Sequence, residues 1–407
     1  MANIDTEIAI IGAGPAGSSP ALALAQAGFK VALVDARDPA ATPPTDTRNY
    51  AIVTGSWRLL TAIGAAQRIE GETQPLHGLE AVDGGTHWFG APSILFGDED
   101  LVHRGEDETL GQMVQAPILQ DALDKAIADE PRITLLAPAL FKNCKPAPGS
   151  IDVELEDGRT LSARLLIGAD GMKSPVRHAA GIEVQGRDYG KSVFAANVTL
   201  SRPHDGIARQ LFTPEGPFAT LPLPGNRANL AWYMKRGAPE ALARLPKEEV
   251  EAELNHRFAH FAGTMTIDGP MGSYPLILQI AEHLVGERIA IVGDAARRLN
   301  PLAGQGLNQG FRDIAALHQA IVETDRAGLD IGGAQALGAY ESSRRFGAST
   351  AALGMDAIDR LFSNDNTFAK PLRGLSLLAA NTIAPVRHKL ASLASASSPD
   401  LPPLMQP

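Results

Sequence analysis

The sequence predicts an α/β fold in which an antiparallel β-sheet is inserted into a parallel one, with a helical region at the C-terminus. The parallel sheet is predicted by three apolar runs: Ile8 to Ile11, Leu165 to Gly168, and a third run that ends in Gly293 and Asp294. The inserted sheet is predicted by residues 190–235, where short apolar runs alternate with turns such as "PEGP" and "PGN". Because parallel strands bind ligands at their carboxyl ends, the glycine and aspartate endings are expected to share one site.

The first apolar run leads into a glycine-rich turn. Gly12, Gly14 and Gly17 give the spacing GxGxxG, a helix-like stretch follows, and a second strand ends in Asp35. This order is the Rossmann-type fingerprint of dinucleotide binding. Gly12 allows the tight turn, Gly14 lets a pyrophosphate reach the backbone, and Gly17 lets helix and strand pack closely. The helix N-terminus would face the phosphates, and Asp35 would accept hydrogen bonds from the adenosine ribose.

Length and composition limit the remaining possibilities. A chain of 407 residues is too long for one ordinary core, so two or three lobes are expected. It contains no apolar run of ~18 residues and no signal peptide at the start, which predicts a cytoplasmic protein. The net charge of −10 argues against a nucleic-acid partner. Cys144 is the single cysteine, so a disulfide and a cysteine metal cluster are excluded, no metal is expected, and Cys144 is predicted to be buried filler.

Two further stretches identify the dinucleotide. Enzymes that pass electrons from a nicotinamide through a flavin to a disulfide usually carry a second glycine fingerprint and a cysteine pair, and this chain has neither. Instead, "LSARLLIGADGMKSPVR" and "ERIAIVGDAA" supply two more strand ends. Three converging strand ends suit one extended ligand.

With "TDTRNYAI", these stretches make the chain resemble the single-component, class A flavin aromatic monooxygenases. Within that group it is most similar to the FAD-dependent hydroxylases of ubiquinone biosynthesis. The family patterns GADGxxSxVR and GDAAHxxxPxxGQGxNxGxxD are met almost throughout, and "EGPFATLPLP", "SYPL" and "LFSNDN" match as well. The resemblance covers about residues 4 to 390.

The resemblance implies a flavoprotein oxidoreductase that holds FAD and takes NADH or NADPH as a transient co-substrate. Asp170 and Gly171 would lie where the flavin and nicotinamide phosphates approach. The residues of this chain that match the family's cofactor-binding positions are Gly12, Ala13, Gly14, Pro15, Gly17, Asp35, Arg48, Gln120, Asp170, Gly171, Asp294, Pro301, Gly304, Gln305, Gly306, Leu307 and Asn308. No residue is singled out as catalytic.

The late segment "GDAARRLNPLAGQGLNQG" is expected to face the flavin ring. A helix beginning near Leu307 would direct backbone N–H groups at the negatively charged edge of the reduced ring. Gly304 and Gly306 would let the backbone approach the ring, and Pro301 would fix the turn. The apolar stripe of this helix is interpreted as packing; it consists of Leu307, Phe311, Ile314, Leu317 and Ile321.

Two residues depart from expectation. The family usually has histidine where this chain has Arg297, and we expect Arg297 to lie on the solvent side, near phosphate charge. Pro20 falls inside the first helix, where proline removes a hydrogen bond.

Farther on, Trp232 and Tyr233 are more typical of sheet core than of a pocket wall.

The predicted domains are discontinuous. The FAD-binding domain is predicted to comprise residues 1–75, 106–182 and 277–330. The substrate domain is predicted to comprise 76–105 and 183–276, followed by a C-terminal helical region at 331–395 and a disordered tail at 396–407. Within the substrate domain and its border, residues 97–108 carry six acidic side chains and are predicted to form a solvated loop.

The resemblance implies hydroxylation of the aromatic ring of a polyprenylated phenol in ubiquinone biosynthesis, with NAD(P)H and O2. Two alternatives remain open: an FAD-dependent lipid reductase or dehydrogenase, and a non-catalytic, FAD-stabilised member of a lipid-synthesis complex. Residues 331–395 carry seven Lys or Arg against four Asp or Glu. This excess suits contact with a membrane surface or a ubiquinone-synthesis complex, at the inner membrane; ordinary packing on the FAD-binding domain is the alternative.

Overall fold

The computed structural model describes residues 3–39, 41, 46–84, 93–101, 105, 108–299, 305–345 and 401–407. In chain order, its strands are β1 (Asn3–Asp5), β2 (Ile8–Ile11), β3 (Val31–Val34), β4 (Asn49–Val53), β5 (Gln74–Leu76), β6 (Gly78–Asp83), β7 (Ser93–Gly97), β8 (Gly111–Gln115), β9 (Ile133–Leu136), β10 (Phe141–Ala147), β11 (Ser150–Leu155), β12 (Thr160–Ala163), β13 (Leu165–Gly168), β14 (Val184–Leu200), β15 (Ile207–Thr213), β16 (Gly216–Leu223), β17 (Arg227–Lys235), β18 (Met265–Ala281), β19 (Val285–Gly286), β20 (Ile289–Ile291) and β21 (Arg297–Arg298).

The helices lie between these strands and follow the last of them. They are α1 (Pro15–Gln26), α2 (Thr54–Ala62), α3 (Ala116–Ala128), α4 (Pro175–Ala179), α5 (Ala238–Leu242), α6 (Lys247–Ala262) and α7 (Gln305–Arg326), with a further helical segment at 334–345. Short 3-10 helices lie at Ala66–Ile69, Asp98–Asp100, Gly293–Ala295 and Pro403–Met405. No helix in the described ranges is long and apolar enough to cross a membrane.

The central sheet has the strand order β19-β20-β13-β2-β3-β9, and its pairs from β20 to β9 are parallel. Its strands are apolar on both faces because both faces are covered. Ile8 and Ile10 pack with the helices, whereas Ala9 and Ile11 pack with the small sheet formed by β1, β10, β11 and β12. The parallel order brings the ends of β3, β2, β13 and β20 to one edge.

A second, eight-stranded sheet has the order β21-β18-β14-β17-β16-β15-β6-β7. Its pairs are antiparallel except for β6 with β15, which are parallel. The strands predicted within 190–235 all belong to this sheet. One face packs on α6, where the rings of Phe218 and Phe258 stack at 3.8 Å and Trp232 meets Phe258 edge-on at 5.0 Å. Trp232 and Tyr233 are both buried core residues, as predicted.

The structure shows how Pro20 and Cys144 are accommodated. Pro20 is buried inside α1, which continues past it to Gln26. Cys144 is half-buried on β10, where it packs against the small-sheet core and burial raises the pKa of its thiol. It is therefore filler, although not fully buried.

The prediction of a solvated loop at 97–108 is wrong for Asp98, Asp100 and Glu108, whereas Glu99 is exposed. The Asp100 side chain is buried and accepts a hydrogen bond from the Gly97 N–H at 3.0 Å. Asp98 accepts one from the Leu110 N–H at 2.9 Å, and Glu108 pairs with buried Arg58 at 2.5 Å. These carboxylates satisfy interior donors, which an acidic composition alone does not indicate.

The prediction of a disordered tail at 396–407 is also wrong for residues 401–407, which the structure describes. Met405 is fully buried against α2 and α7, and Leu401 and Leu404 pack beside it. Its carbonyl accepts a hydrogen bond from Arg58 Nη1 at 3.3 Å. Proline and serine dominated the composition of this segment, but its three apolar side chains supply enough burial to dock it. Residues 396–400 lie outside the described ranges, as do 346–395 of the predicted helical region.

The docked terminus can be tested by truncating its anchor. Met405→Ala removes a fully buried side chain and should lower the free energy of unfolding by about 2 kcal/mol, measured by urea denaturation. Gln406→Ala, at the exposed neighbouring position, is the control and should have an effect within ~0.5 kcal/mol. Equal, negligible effects of the two substitutions would mean that the tail does not dock.

Candidate functional site

The turn after β2 holds α1 very close to the sheet. Gly12 has φ +101°, and a Cβ on Gly17 would lie 1.7 Å from the Gly12 carbonyl oxygen. A Cβ on Gly12 would lie 2.5 Å from the carbonyl oxygen of Ala169. Gly14 differs, since a Cβ there would have no atom within 4 Å. The turn is therefore crowded toward the sheet and open on the side where Gly14 and Pro15 begin α1.

Side chains from β3 and α3 brace this turn. Asp35 Oδ2 accepts a hydrogen bond from the Ala13 N–H at 2.6 Å, and Asp35 Oδ1 accepts one from the Arg37 N–H at 2.7 Å. Gln120 Nε2 donates to the Ala13 carbonyl at 2.9 Å and to Asp124 at 2.7 Å. Each carboxylate oxygen of Asp35 keeps a further lone pair, so a ribose hydroxyl could still donate to it.

The second strand end, after β13, carries Asp170 and Gly171. Asp170 Oδ1 accepts a hydrogen bond from the Ser174 hydroxyl at 2.5 Å, and its Oδ2 accepts one from the Val176 N–H at 3.0 Å. Burial raises the pKa of Asp170, although these donors favour its ionised form. Asp170 thus shapes the loop that leads into α4, and its bonds are to that loop.

Arg177 ties the second strand end to the third. Its Nη1 donates to the Ala295 carbonyl at 2.9 Å, and its Nη2 donates to the Met172 carbonyl at 2.9 Å. Ala295 belongs to the 3-10 turn Gly293–Ala295 that follows β20. A buried guanidinium therefore fixes the distance between two of the loops that border the site.

The third strand end is packed against α7. A Cβ on Gly310 would lie 3.2 Å from the Cα of Gly293, so the helix passes directly beside the turn. Asn308 is buried; its Oδ1 accepts a hydrogen bond from the Val53 N–H at 3.1 Å and its Nδ2 donates to the Ala51 carbonyl at 2.7 Å. The Asn308 side chain therefore anchors the start of α7 to β4.

Within the first turn of α7, the Gly306 position faces open space. The helix begins at Gln305, close to the predicted start near Leu307. A Cβ on Gly306 would meet no atom within 4 Å. Behind it the predicted apolar stripe packs into the core: Phe311, Ile314, Leu317 and Ile321 are buried, and Leu307 packs beside them. Pro301 and Gly304 lie outside the described residues.

Asp294 lies in the 3-10 turn after β20, and the space beside the turns after β2, β13 and β20 is termed here the cleft. Its side chain is exposed to solvent, yet the surrounding protein desolvates the carboxyl enough to raise its pKa. Solvent therefore reaches the Asp294 carboxyl through a recess in the protein. The positive charges of Arg298 and Arg48 oppose the rise in the pKa of Asp294, so both lie close to it.

Arg48 and two tyrosines complete this wall. The Arg48 side chain is 67% exposed, pairs with Asp46 at 2.7 Å and lies 5.8 Å from the ring centroid of Tyr50. Burial raises the pKa of Tyr274, while the charges of Arg298 and Arg48 lower it. Tyr50, Tyr274 and Arg298 were not predicted as site residues, although "TDTRNYAI" and "SYPL" contained the two tyrosines.

The predicted solvent-side position of Arg297 is wrong. Its side chain is only 3% exposed, and its Nη1 lies 2.5 Å from Asp313 Oδ1 inside the protein. β21 pairs with β18, Arg297 opposite Ile280, and consecutive residues of a strand point to opposite faces. Arg297 therefore points inward to a buried carboxylate, whereas Arg298 points toward Met172 and the cleft.

These features fit an FAD molecule. The turns after neighbouring parallel strands lie at one edge of the sheet, and Gly14 and Gly306, at the N-termini of α1 and α7, each face open space. Helix N-termini supply backbone N–H groups and partial positive charge to an anionic ligand. Among the described residues, no cluster of His, Cys, Asp and Glu could hold a metal ion.

Residues 5–352 match the family model described as "FAD binding domain". The chain belongs to this family. It is 37% identical to "Ubiquinone hydroxylase UbiL" of Rhodospirillum rubrum, over 98% of this chain and 92% of that protein. It is 34% identical to "3-demethoxyubiquinol 3-hydroxylase" of Escherichia coli, over 93% of this chain and 96% of that protein. Within the family it groups with the FAD-dependent hydroxylases of ubiquinone biosynthesis, as the sequence predicted.

Solved structures share the fold. The p-nitrophenol 4-monooxygenase PnpA from Pseudomonas putida superposes with a TM-score of 0.78 at 17% identity, covering 98% of this chain and 100% of that one. The probable FAD-dependent monooxygenase PqsL from Pseudomonas aeruginosa gives 0.75 at 20% identity, covering 92% and 99%. The predicted fold class, FAD as cofactor and the NAD(P)H-dependent monooxygenase class are confirmed. The individual contacts of the predicted residues with FAD stay predictions.

Gly14, where a side chain would enter open space, and Gly17, where a side chain would clash, give a matched test of the cleft. Gly14→Val places a side chain in the open space and should leave the fold intact while weakening FAD binding by ~100-fold or more, about 3 kcal/mol. Gly17→Val should prevent folding, because its side chain would overlap the Gly12 carbonyl. FAD titration and circular dichroism separate the two effects. A Gly14→Val protein that binds FAD normally would show that the cofactor lies elsewhere.

Proposed function

We propose that the protein hydroxylates the aromatic ring of a polyprenylated phenol in ubiquinone biosynthesis, consuming NADH or NADPH and O2. The observation that carries this proposal is the shared sheet edge at which β2, β13 and β20 end, with open space beside Gly14 and Gly306. The names of the two curated relatives support the quinone-type substrate.

We assign the FAD-holding role to backbone as much as to side chains. The N–H groups at the start of α1, beside Gly14, would hold the pyrophosphate, and Asp35 would bind the ribose. The first turn of α7, with Gly306 open to the cleft, would meet the flavin ring. When bound, FAD accepts a hydride from NAD(P)H and activates O2 for transfer to an electron-rich ring. The residues of the chain orient the reactants and exclude water.

The sheet face beside the cleft suits a lipophilic substrate. One face of the eight-stranded sheet packs on α6, and the opposite face carries a separate apolar group of side chains. The buried members of this group are Val193, Ala219, Ala231, Tyr233 and Leu276, with Tyr189 and Tyr274 packed against them. The charges of Arg48 and Arg298 act on Tyr274, which supports an apolar face that reaches the site. A prenylated ring would rest there away from water.

We also propose peripheral contact with the inner membrane or with a ubiquinone-synthesis complex, through residues 331–395, from the cytoplasmic side. The basic excess of this region supports the proposal. Its first part supports packing instead, since Leu337 and Tyr340 are buried in the same apolar core as the central sheet. The contact would therefore be made by later residues of the region.

Turnover under isotopically heavy O2 tests the reaction. With a prenylated phenol and NAD(P)H, the product should gain one heavy oxygen atom, detected by mass spectrometry. Heavy water with ordinary O2 is the control and should leave the product unlabelled. Substrate conversion without heavy oxygen would favour the lipid reductase or dehydrogenase, and FAD binding without NAD(P)H consumption would favour a non-catalytic role in a complex.

A further inference from the structure

Behind the flavin-facing turn of α7 lies a buried cluster of charged residues, Arg297, Asp313 and Arg344, termed here the arginine cluster. Asp313 Oδ1 accepts hydrogen bonds from Arg297 Nη1 at 2.5 Å and from Arg344 Nε at 2.7 Å. Arg344 Nη2 also donates to Gln309 Oε1 at 3.0 Å. All four residues are buried. The cluster joins β21, α7 and the helical segment at 334–345.

The arginine cluster has more positive than negative charge. Two guanidinium groups share one carboxylate, and among the described residues neither Arg297 Nε nor Asp313 Oδ2 has a hydrogen-bond partner. Arg312 lies nearby; burial and the charge of Arg344 lower its pKa to about 10, so it remains charged at neutral pH. Glu341 does not balance this excess directly, because its Oε1 accepts from the Leu284 N–H at 3.0 Å and contacts His283.

Stability is a poor reason for such a cluster. Desolvating several charges costs free energy that their mutual attraction only partly offsets, and apolar replacements of buried ion pairs are often neutral or stabilising. The excess charge here increases that cost. An electrostatic role toward a ligand explains the arrangement better than packing does.

The position of the cluster suits the flavin site. Asp313 follows Asn308 by five residues on α7, which is about 7.5 Å along the helix axis. Arg297 follows Asp294, on the cleft wall, by three residues. Solvent screens a charge in the protein interior much less than one on the surface, so the excess acts over this distance.

We propose that the arginine cluster biases the cofactor site toward the reduced, negatively charged state of FAD, with Arg297 acting through the field of the cluster and not by contact. Hydride transfer from NAD(P)H adds two electrons and one proton, so the flavin gains one negative charge. The buried positive excess adds to the partial positive charge at the start of α7. The inference rests on the proposed position of the flavin ring at the first turn of α7.

The midpoint potential of bound FAD tests this inference. Arg297→Met removes one buried positive charge while Asp313 keeps Arg344 as its partner. The affinity for reduced relative to oxidised FAD should fall about tenfold, which corresponds to a two-electron potential ~30 mV more negative. Arg297→Lys keeps the charge and should stay near the wild-type potential. Arg326→Met, at the exposed end of α7, is the matched control and should leave the potential unchanged.

Three results would contradict either the inference or the proposed function. An unchanged potential in Arg297→Met with a lowered melting temperature would reduce the cluster to a structural role and overturn the inference, as would an Arg297→Lys potential as low as that of Arg297→Met. If Arg297→Met fails to fold, Arg344→Met removes the other positive charge paired with Asp313 and must shift the potential in the same direction. A wild-type protein that binds no FAD would instead overturn the proposed function.

Discussion

The close packing of α1 on the turn after β2 sets the geometry of the whole site. Gly17 leaves room for the Gly12 carbonyl, and Gly12 leaves room for the Ala169 carbonyl of the next strand end. This double contact brings two loops together, and Arg177 then ties the second loop to the third through the Ala295 carbonyl. A side chain at either glycine would separate the strand ends, and one extended ligand could no longer contact all of them.

Charge is distributed differently in the cleft and behind it. The cleft wall combines exposed Arg48 and Asp294 with two tyrosines, which suits a ligand that carries both phosphates and hydroxyl groups. Behind α7, by contrast, the buried side chains of Arg297 and Arg344 share the carboxylate of Asp313. We propose that the two sets act on different parts of one cofactor, the first by contact and the second through the field.

Local sequence patterns predicted the parts of the structure that local physics determines. The strand–turn–helix order at the glycines and the apolar stripe of α7 follow from chain periodicity and from backbone sterics. Two of the failures involve partners distant in sequence. Arg297 is buried because Asp313 and Arg344 receive it, and Met405 is buried because α2 and α7 leave room for it and Arg58 bonds its carbonyl. A residue pattern does not encode such pairings, and the family resemblance gave no guidance at position 297, where this chain departs from it.

We propose that three strand ends and the first turn of α7 contact one FAD molecule together. Amide hydrogen exchange, compared between apoprotein and FAD-loaded protein, tests this most directly. The account predicts slower exchange, upon FAD binding, in the turns after β2, β13 and β20 and at residues 305–308, with no change in the small sheet formed by β10, β11 and β12. Protection confined to one turn, or spread equally over the small sheet, would contradict it.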